Sequence, residues 1–368
     1  MLNFVFWVFI LFLTIQFIFY VLIFGKPSFS KTEKFVTKNY AISVIVCAKN
    51  EADNVKKFIP ILANQNYPNF EIVLIDDASS DDTLEIFEEF EKKYTNIRLV
   101  KVANNEAFWG NKKFALTLGI KAAKNEYLLF TDANCYPTTP NWIAEMSACF
   151  TTEKTIVLGY SGFEKIEGSF LNKLIRFENV LMAIQFFAWA KIGKPFAGTG
   201  KNLAYKKSEF FKTNGFINHM KIRSGADKLF VNEAANKENT AFCLSNSSFT
   251  QSQAKINFRS WFTLKRHNDA TAKNYKFFDK FQLNLFFQSQ ILVITSAIIL
   301  LSWQFQWQIV AGLLLFRYLF VWITFGYAAK KFQEVQLVYW FPVIEIALLF
   351  VQLNVAISTL FSKPAQWK

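Results

Sequence analysis

The sequence is poor in the residues that mark several common functional classes. Its four cysteines, Cys47, Cys135, Cys149 and Cys243, show no metal-ligand spacing, and so few cysteines suit a reducing compartment. The chain lacks the basic and aromatic signatures that are typical of nucleic-acid binding, which argues against a nucleic-acid partner. It also lacks a phosphate-binding GxxxxGK[ST] loop, since GTGKN (Gly198–Asn202) is an isolated GxG outside a strand-to-helix context.

What the sequence has in excess is apolar residues. Hydrophobic residues occupy 52% of the 368 positions and include 44 phenylalanines, too apolar a composition for an ordinary soluble protein of this length. Phe4–Phe24 is uncharged, has the length of about 20 residues needed to cross a bilayer, and lacks the small-residue cleavage site of a signal peptide. We expect it to be a retained anchor. Three further spans are predicted near the C-terminus: Leu285–Trp303, Ile309–Ala329 and Leu337–Phe361.

The predicted spans divide the chain into three parts. We expect an anchor at residues 1–25, one globular domain at 26–281 and membrane helices at 282–368. If the N-terminus lies outside, the basic residues that flank the spans fall on one side, which predicts a multi-pass protein of the cell inner membrane with a cytoplasmic globular domain. The net charge of +13 fits contact with anionic headgroups. The flanking residues are Lys26, Lys31, Lys34, Lys38, Lys273, Lys276, Lys280, Lys330 and Lys331.

The globular part alternates strand patterns with helix patterns. Apolar runs typical of buried strands occur at Ile42–Asn50, from Phe70 onward, at Ile97–Val102 and at Tyr127–Phe130, and helical spacing follows each of the first three. This alternation predicts an α/β fold with a mostly parallel sheet. Ligands of such sheets bind beyond the carboxyl ends of the strands.

Carboxylates follow two of the predicted strands. Asp76 and Asp77 end the second strand, and the stretch EYLLFTDANCYP runs from the fourth strand straight into Asp132 and Asn134. A single aspartate at the end of a strand more often has only a structural role in a turn, because aspartate is a common turn residue. Two strands that deliver carboxylates to one edge favour a site for a nucleotide and a divalent cation, because Mg²⁺ and Mn²⁺ prefer oxygen ligands and keep phosphates as partners.

The motifs taken in order resemble a known family. VIVCAKNE, VLIDDASSDDT, GNKKFALTLGI and LFTDANCYP are similar to the successive motifs of the family 2 inverting glycosyltransferases, in their membrane-anchored bacterial branch. The resemblance continues through GTGKNLAYKKSEFFKTNGF, SGADKLFVNEAA and SWFTLKRHND and covers nearly the whole chain. It implies a GT-A nucleotide-sugar-binding domain, a divalent cation (Mg²⁺ or Mn²⁺), a nucleotide-sugar donor with UDP favoured over GDP, and a lipid-linked or glycan acceptor.

The resemblance also implies roles for individual residues. Asp77 would contact the nucleobase or ribose, Asp132 and Asn134 would lie at the sugar-nucleotide and the metal, and Asp227 would be the general base. Inverting transfer needs such groups, because a base must take the proton of the acceptor hydroxyl while positive charge stabilises the leaving diphosphate. The remaining expected contacts are Glu51, Asp76 and Lys113 with the nucleotide sugar, and Lys201, Arg266 and His267 with the diphosphate or acceptor.

Simpler structural roles stay open for several of these residues. Asp227 also suits the first turn of a helix, and Arg266 and His267 also suit a basic strip that faces the membrane. Gly168–Phe196 carries an apolar stripe at helical spacing, which fits core packing and an interfacial amphipathic helix equally well.

Two motifs depart from the family pattern. The second carboxylate of DxD is replaced by Asn134, a weaker metal ligand because it is neutral, and the QxxRW-like element reads Thr263-Leu264-Lys265-Arg266-His267. We therefore expect a single transfer rather than processive synthesis. A non-catalytic nucleotide-sugar-binding or assembly subunit remains the alternative. Within the predicted spans, Arg317 and Glu345 either pair with each other or Arg317 extends to the interface.

Overall fold

The structure is a computed structural model that describes residues 1–31, 36, 38–103, 112–222 and 224–361. Lys34, Gly110 and Asn111, which belong to the predicted basic flank and to one of the motifs, lie outside the described residues. The chain divides into two compact units, which we call the helical unit and the sheet unit. Of the described residues, the helical unit contains those in Met1–Lys31, Gly168–Ile192 and Ile256–Ala365, and the sheet unit contains those in Thr32–Glu167 and Gly193–Lys255.

The helices and strands of the described residues are numbered in chain order. The α-helices are α1 (Leu2–Phe17), α2 (Gly25–Phe29), α3 (Ala52–Ala63), α4 (Thr83–Lys93), α5 (Lys112–Ala122), α6 (Trp142–Ala148), α7 (Phe170–Lys191), α8 (Lys207–Lys212), α9 (Ala226–Ala234), α10 (Phe258–Ala272), α11 (Phe277–Ser302), α12 (Trp307–Lys331) and α13 (Phe341–Phe361). The strands are β1 (Ile42–Ala48), β2 (Phe70–Asp76), β3 (Ile97–Lys101), β4 (Tyr127–Asp132), β5 (Cys135–Pro137), β6 (Ile156–Leu158), β7 (Ser161–Phe163), β8 (Leu203–Lys206), β9 (Thr240–Phe242) and β10 (Thr250–Ser252). A π-helix (Ile18–Phe24) connects α1 to α2, and short 3₁₀ helices lie at Ile217–His219, Asn246–Ser248 and Val335–Trp340.

The sheet unit contains a mixed sheet in the order β3-β2-β1-β4-β8-β6-β9. Strands β3, β2, β1 and β4 are parallel, whereas β8 is antiparallel to both β4 and β6. A smaller sheet has the order β5-β10-β7. The predicted α/β fold with a mostly parallel sheet is therefore confirmed. The predicted strands correspond to β1 through β4.

Apolar residues explain why β1 lies in the middle of this sheet. All seven residues of β1 are buried, as expected for a parallel strand that is covered on both faces. Val44 and Val46 pack with Ile72 and Leu74 of β2 and with Phe87 of α4 in one hydrophobic cluster. Burial on this scale, about 25 cal/mol for each Å² of apolar surface, stabilises the part of the sheet that carries the candidate site.

Four helical segments among the described residues are long and apolar enough to cross a membrane: Leu2–Phe29, Phe277–Ser302, Trp307–Lys331 and Val335–Thr359. The predicted N-terminal anchor and the three predicted C-terminal spans overlap these segments, and two of the predicted spans end one or two residues later than the segments do. Of the two alternatives for Arg317 and Glu345 inside the spans, the structure shows the pairing. Arg317 on α12 donates to both carboxylate oxygens of Glu345 on α13, at 2.6 and 3.1 Å, and its Nε donates to Gln16 Oε1 on α1 at 2.6 Å.

Helix α7, which covers most of the predicted amphipathic segment, packs within the helical unit. Its Arg176 forms a buried ion pair with Glu334, and its Glu178 forms another with Lys265 of α10. Large apolar side chains such as Phe177 and Phe187 are almost fully buried. This burial favours the core-packing alternative. It also explains why contacts assign Gly168–Ile192 to the helical unit, whereas the sequence places it inside a globular domain of residues 26–281.

Candidate functional site

The carboxyl ends of three adjacent strands bring the predicted acidic residues to one edge of the sheet. Asp76 ends β2 and pairs in register with Ala48 of β1, and Asp132 ends β4 and pairs with Cys47 of β1. The two carboxylates therefore flank the end of β1. This is the edge at which open α/β sheets bind ligands.

Asp76 and Asp77 are both buried at this edge. Asp76 Oδ2 accepts a hydrogen bond from Ser79 N at 3.3 Å, but Asp76 Oδ1 is buried without a partner among the described residues. An unpartnered buried oxygen is uncommon in folded proteins, and this one is able to accept a hydrogen bond. Burial raises the pKa of Asp77 above its usual value, and Lys49 opposes the shift.

The loops that follow β1 and β2 are joined by polar contacts. Glu51 N donates to Thr83 Oγ1 at 2.9 Å, and Ala52 N donates to Asp81 Oδ2 at 3.1 Å. The carboxylate of Glu51 accepts from Asn54 in its own helix α3 at 2.5 Å. In the motif DDASSDDT, the residues after the first two aspartates thus stabilise the loops.

Asp132 ends β4, and Asn134 lies in the turn between β4 and β5. Asp132 Oδ1 lies 2.6 Å from Lys112 Nζ, and both side chains are partly exposed. Burial opposes the charge on Asp132, but Lys112 and then Lys201 hold the pKa of this carboxyl below its usual range. Asn134 Oδ1 accepts a hydrogen bond from Cys135 Sγ at 3.4 Å.

Few side chains near this turn could coordinate a divalent cation. Within the described residues, no group of three or more histidine, cysteine, aspartate or glutamate side chains is arranged to hold a metal ion. Asp132 and Asn134 provide one carboxylate and one amide oxygen. Such a pair fits Mg²⁺ or Mn²⁺ when phosphates and waters supply the other ligands, because these ions commonly use one or two protein ligands beside a phosphorylated substrate.

Two adjacent lysines at the start of α5 have different surroundings. Lys113 is only 1% exposed, and its Nζ donates to the main-chain carbonyls of His219, at 2.8 Å, and Ile222. Lys112, which the sequence analysis did not single out, is the residue that reaches Asp132. The two consecutive lysines in GNKK are the sequence feature from which a role for Lys112 could have been predicted. The predicted donor contact of Lys113 stays a prediction, and the geometry favours Lys112 for it.

Asp227 lies in the first turn of α9, directly after Ala226 and the helix-capping Gly225. Its Oδ2 accepts a hydrogen bond from Gly200 N at 2.5 Å. A Cβ atom on Gly200 would lie 3.3 Å from Asp227 Cβ, so glycine allows this close approach. The motif GTGKN is therefore next to the predicted base. The charge of Asp227 also acts on both lysines of α5 and opposes the loss of their protons.

The remaining predicted residues lie in two places. Lys201 Nζ donates to Ser252 Oγ of β10 at 2.8 Å and lies 4.4 Å from the ring centre of Phe163. Arg266 and His267 belong to α10 of the helical unit. Burial lowers the pKa of His267, and the positive charge of Arg266 adds to the shift. Their contact with a diphosphate or acceptor stays a prediction.

Comparison with known proteins adds to this geometry. Residues 43–226 match the family described as glycosyl transferase family 2, and this match spans half of the chain. The poly(ribitol-phosphate) beta-glucosyltransferase of Bacillus spizizenii is 33% identical over 97 residues, which are 26% of this chain and 15% of that protein. The UDP-Glc:alpha-D-GlcNAc-diphosphoundecaprenol beta-1,3-glucosyltransferase WfaP of Escherichia coli is 30% identical over 122 residues, 33% of this chain and 45% of that protein.

A solved structure shares the fold. The mannosyltransferase PcManGT of Pyrobaculum calidifontis, solved in complex with GDP-Man and Mn²⁺, superposes with a TM-score of 0.58 at 16% identity, over 89% of this chain and 98% of that protein. The sheet unit thus has the GT-A fold, as predicted. The matches to the two curated relatives span less than half of their lengths. Because the family match covers residues 43–226 and includes the strand-end aspartates, the chain belongs to glycosyl transferase family 2.

Proposed function

We propose that this chain is a membrane glycosyltransferase that transfers a sugar, with inversion, from a nucleotide-sugar donor to a lipid-linked or other membrane-proximal acceptor. The observation that carries the proposal is the Oδ1 atom of buried Asp76, which has no partner in the part of the chain that the structure describes and lies beside Asp77, across the end of β1 from Asp132. This arrangement supplies acceptors for the hydroxyl and imide groups of a nucleoside on one side of β1. On the other side it supplies charged groups for a sugar diphosphate.

In the proposed mechanism the donor lies along the carboxyl edge of the sheet. Asp77 and Asp76 accept hydrogen bonds from the nucleoside, and Glu51 contributes from the start of α3. Asp132 and Asn134 would hold a divalent cation, and a bound cation would neutralise negative charge on the diphosphate. Lys112 and Lys201, whose charges both act on Asp132, would add positive charge near the phosphates.

The chemical step is a displacement at the anomeric carbon. The acceptor oxygen forms a bond to this carbon while the bond to the diphosphate oxygen breaks, and the nucleoside diphosphate leaves with the electron pair. The carboxylate of Asp227 takes the proton of the acceptor hydroxyl. The hydrogen bond from Gly200 N to Asp227 Oδ2 supports this role, because it orients the carboxylate. Arg266 and His267 are proposed contacts of the diphosphate or acceptor.

The donor nucleotide is left open between UDP and GDP. The similar proteins include one named for UDP-Glc and one solved with GDP-Man, so the expected preference for UDP gains no support from them. For the acceptor, the relatives are named for a poly(ribitol-phosphate) and for a diphosphoundecaprenol, which supports a polymer or lipid-linked acceptor here. The basic residues that flank the spans support a cytoplasmic sheet unit at the inner membrane.

The test is donor turnover by the full chain, purified in detergent or nanodiscs with Mn²⁺. Release of nucleoside diphosphate is measured over a panel of UDP- and GDP-sugars, with and without extracted membrane lipids as acceptor. Lipid-dependent release from one donor, lost in Asp227→Asn, supports the proposal. Tight donor binding without release under any condition would instead favour the alternative, a non-catalytic binding or assembly subunit.

A further inference from the structure

Lys113 is a buried cation whose contacts lead toward the proposed base. Its side chain is 1% exposed, and its Nζ donates to the carbonyls of His219 and Ile222, which lie more than 100 positions later in the chain. Both carbonyls belong to the loop between α8 and α9. We call residues 214–222 the base loop, because the chain leads from it into the helix that carries Asp227.

The base loop has little regular structure of its own. It begins with two residues of positive φ, Asn214 at 58° and Gly215 at 61°, and continues through the one-turn helix Ile217–His219. The main-chain hydrogen bonds inside the loop are 3.0–3.3 Å long, and the longest, 3.3 Å, are those of Ile217 N and Met220 N. A loop of this kind needs outside contacts to hold one conformation. The ammonium group of Lys113 provides two, and hydrogen bonds from a charged donor are stronger than neutral ones.

Helix α5, which makes these contacts, packs closely against the sheet. A Cβ atom on Gly119 of α5 would lie 2.1 Å from Ile75 Cδ1 of β2, so the helix is seated directly on the sheet. Adjacent residues of an α-helix point about 100° apart. The first turn of α5 therefore directs Lys112 to Asp132 and Lys113 to the base loop. One helix thus contacts both the proposed donor site and the loop before the proposed base.

We propose that Lys113 is a positioning residue that fastens the base loop to α5 and thereby sets the place of Asp227 relative to Asp132 and Lys112. The proposal rests on the proposed function, since it assumes that Asp227 is the base. Lys113 acts through the main chain of the loop and need not touch donor or acceptor. Its loss should therefore affect turnover and leave donor binding largely intact.

The first experiment separates turnover from binding in Lys113→Met, which removes the ammonium group and keeps the apolar stem of the side chain. We expect kcat to fall between about 10- and 100-fold, the range caused when a catalytic group shifts by about 1 Å. The KM for the donor should stay within about twofold. Lys113→Arg, which keeps the charge and several donors, should recover a large part of kcat. Lys121→Met is the matched control, because Lys121 is an exposed lysine of the same helix.

The second experiment measures the loop without relying on activity. Hydrogen–deuterium exchange of the full chain should be faster in Lys113→Met for peptides that cover residues 214–230, and unchanged for β1 and β2. If Lys113→Met does not fold, Lys113→Gln removes the same charge with a shorter side chain and is measured in its place.

Each outcome bears on a separate claim. Unchanged exchange in the base loop would overturn the fastening role. Faster exchange with wild-type kcat, or a rise in donor KM that equals the loss of kcat, would overturn the positioning role. A wild-type protein that turns over no donor would contradict the proposed function, and the exchange measurement would still test the contact between Lys113 and the loop.

Discussion

Lys112 Nζ lies 2.6 Å from Asp132 Oδ1, so an ammonium group occupies the oxygen that the sequence assigns to a divalent cation. A cation bound to the same oxygen would meet the positive charge of Lys112 at short range. Donor phosphates between the two would remove this conflict, because they attract both. We therefore expect binding of the cation to depend on binding of the donor.

The first prediction follows from this ion pair. Lys112→Met should tighten the binding of Mn²⁺ alone, since it removes a competing positive charge from Asp132, and should weaken the binding of a nucleoside diphosphate by about tenfold, the effect of about 1.4 kcal/mol. Calorimetric titrations of Mn²⁺ and of the nucleotide check the two effects. Lys121→Met serves as the control. If both affinities stay at wild-type values, Lys112 does not contribute to the site.

The second prediction compares Asp132 and Asn134, the two proposed metal ligands. Asp132→Ala should weaken nucleotide-sugar binding in the presence of Mn²⁺ more than Asn134→Ala does, because a charged ligand contributes more to a cation than a neutral one. Conversely, Asn134→Asp should lower the Mn²⁺ concentration for half-maximal activity. Calorimetry and a metal titration of activity measure these effects. Equal losses at both positions, or no response to Asn134→Asp, would mean that residue 134 does not face the metal.

The third prediction concerns the membrane-type helices. Arg317→Met leaves Glu345 without its bidentate partner and should reduce the free energy of unfolding by about 3–5 kcal/mol, the cost of breaking one side of a buried ion pair. The double variant with Glu345→Met should recover much of this loss, because it leaves no unpaired charge. Thermal unfolding in detergent gives the comparison. If the double variant loses as much stability as the two single variants combined, Arg317 and Glu345 do not stabilise the protein through their ion pair.

Local patterns in the sequence were sufficient to predict the strands and the edge of the sheet. The apolar runs of β1 and β2 need burial on both faces, and parallel strands place their carboxyl ends together, so Asp76 and Asp132 were expected at one edge. The four apolar helices follow in the same way from length and composition. These features could be predicted because strand type and strand direction follow from local patterns, although the strands themselves pair across distant parts of the chain.

Contacts across long sequence separations could not be predicted. Lys112 and Lys113 are identical in type, and only the orientation of α5 on the sheet decides which of them reaches Asp132 and which reaches His219. The assignment of α7 to the helical unit depends in a similar way on the ion pair between Arg176 and Glu334, 158 positions apart. No local pattern encodes such partners.

The fourth prediction is a dependence of stability on pH. Burial lowers the pKa of Lys113 to about 8, with Asp227 opposing the shift, whereas an unfolded chain has a lysine pKa of about 10.4. Between these values the unfolded state binds more protons, so the contribution of Lys113 to stability rises from pH 8 to about pH 10.4. The stability of wild type relative to Lys113→Met should therefore increase over this range. Chemical unfolding at several pH values measures the difference, and a flat or falling difference would contradict the expected pKa.

The last prediction tests the base itself. Asp227→Asn keeps the shape of the side chain and can still accept the hydrogen bond from Gly200 N, but it cannot take a proton from the acceptor. Donor affinity should stay near wild type, and turnover should fall by about 10²–10⁴-fold, the usual contribution of a positioned acid or base.

A purely structural Asp227 gives a different result. Asparagine and aspartate are both favourable at the start of a helix, so the substitution would then cost at most about 1 kcal/mol of stability and leave the rate unchanged. The measurements are therefore the melting temperature, the dissociation constant of the donor and the rate of acceptor-dependent release of nucleoside diphosphate. If all three match wild type, Asp227 has no part in the mechanism, and a non-catalytic binding subunit becomes the better account of the strand-end aspartates.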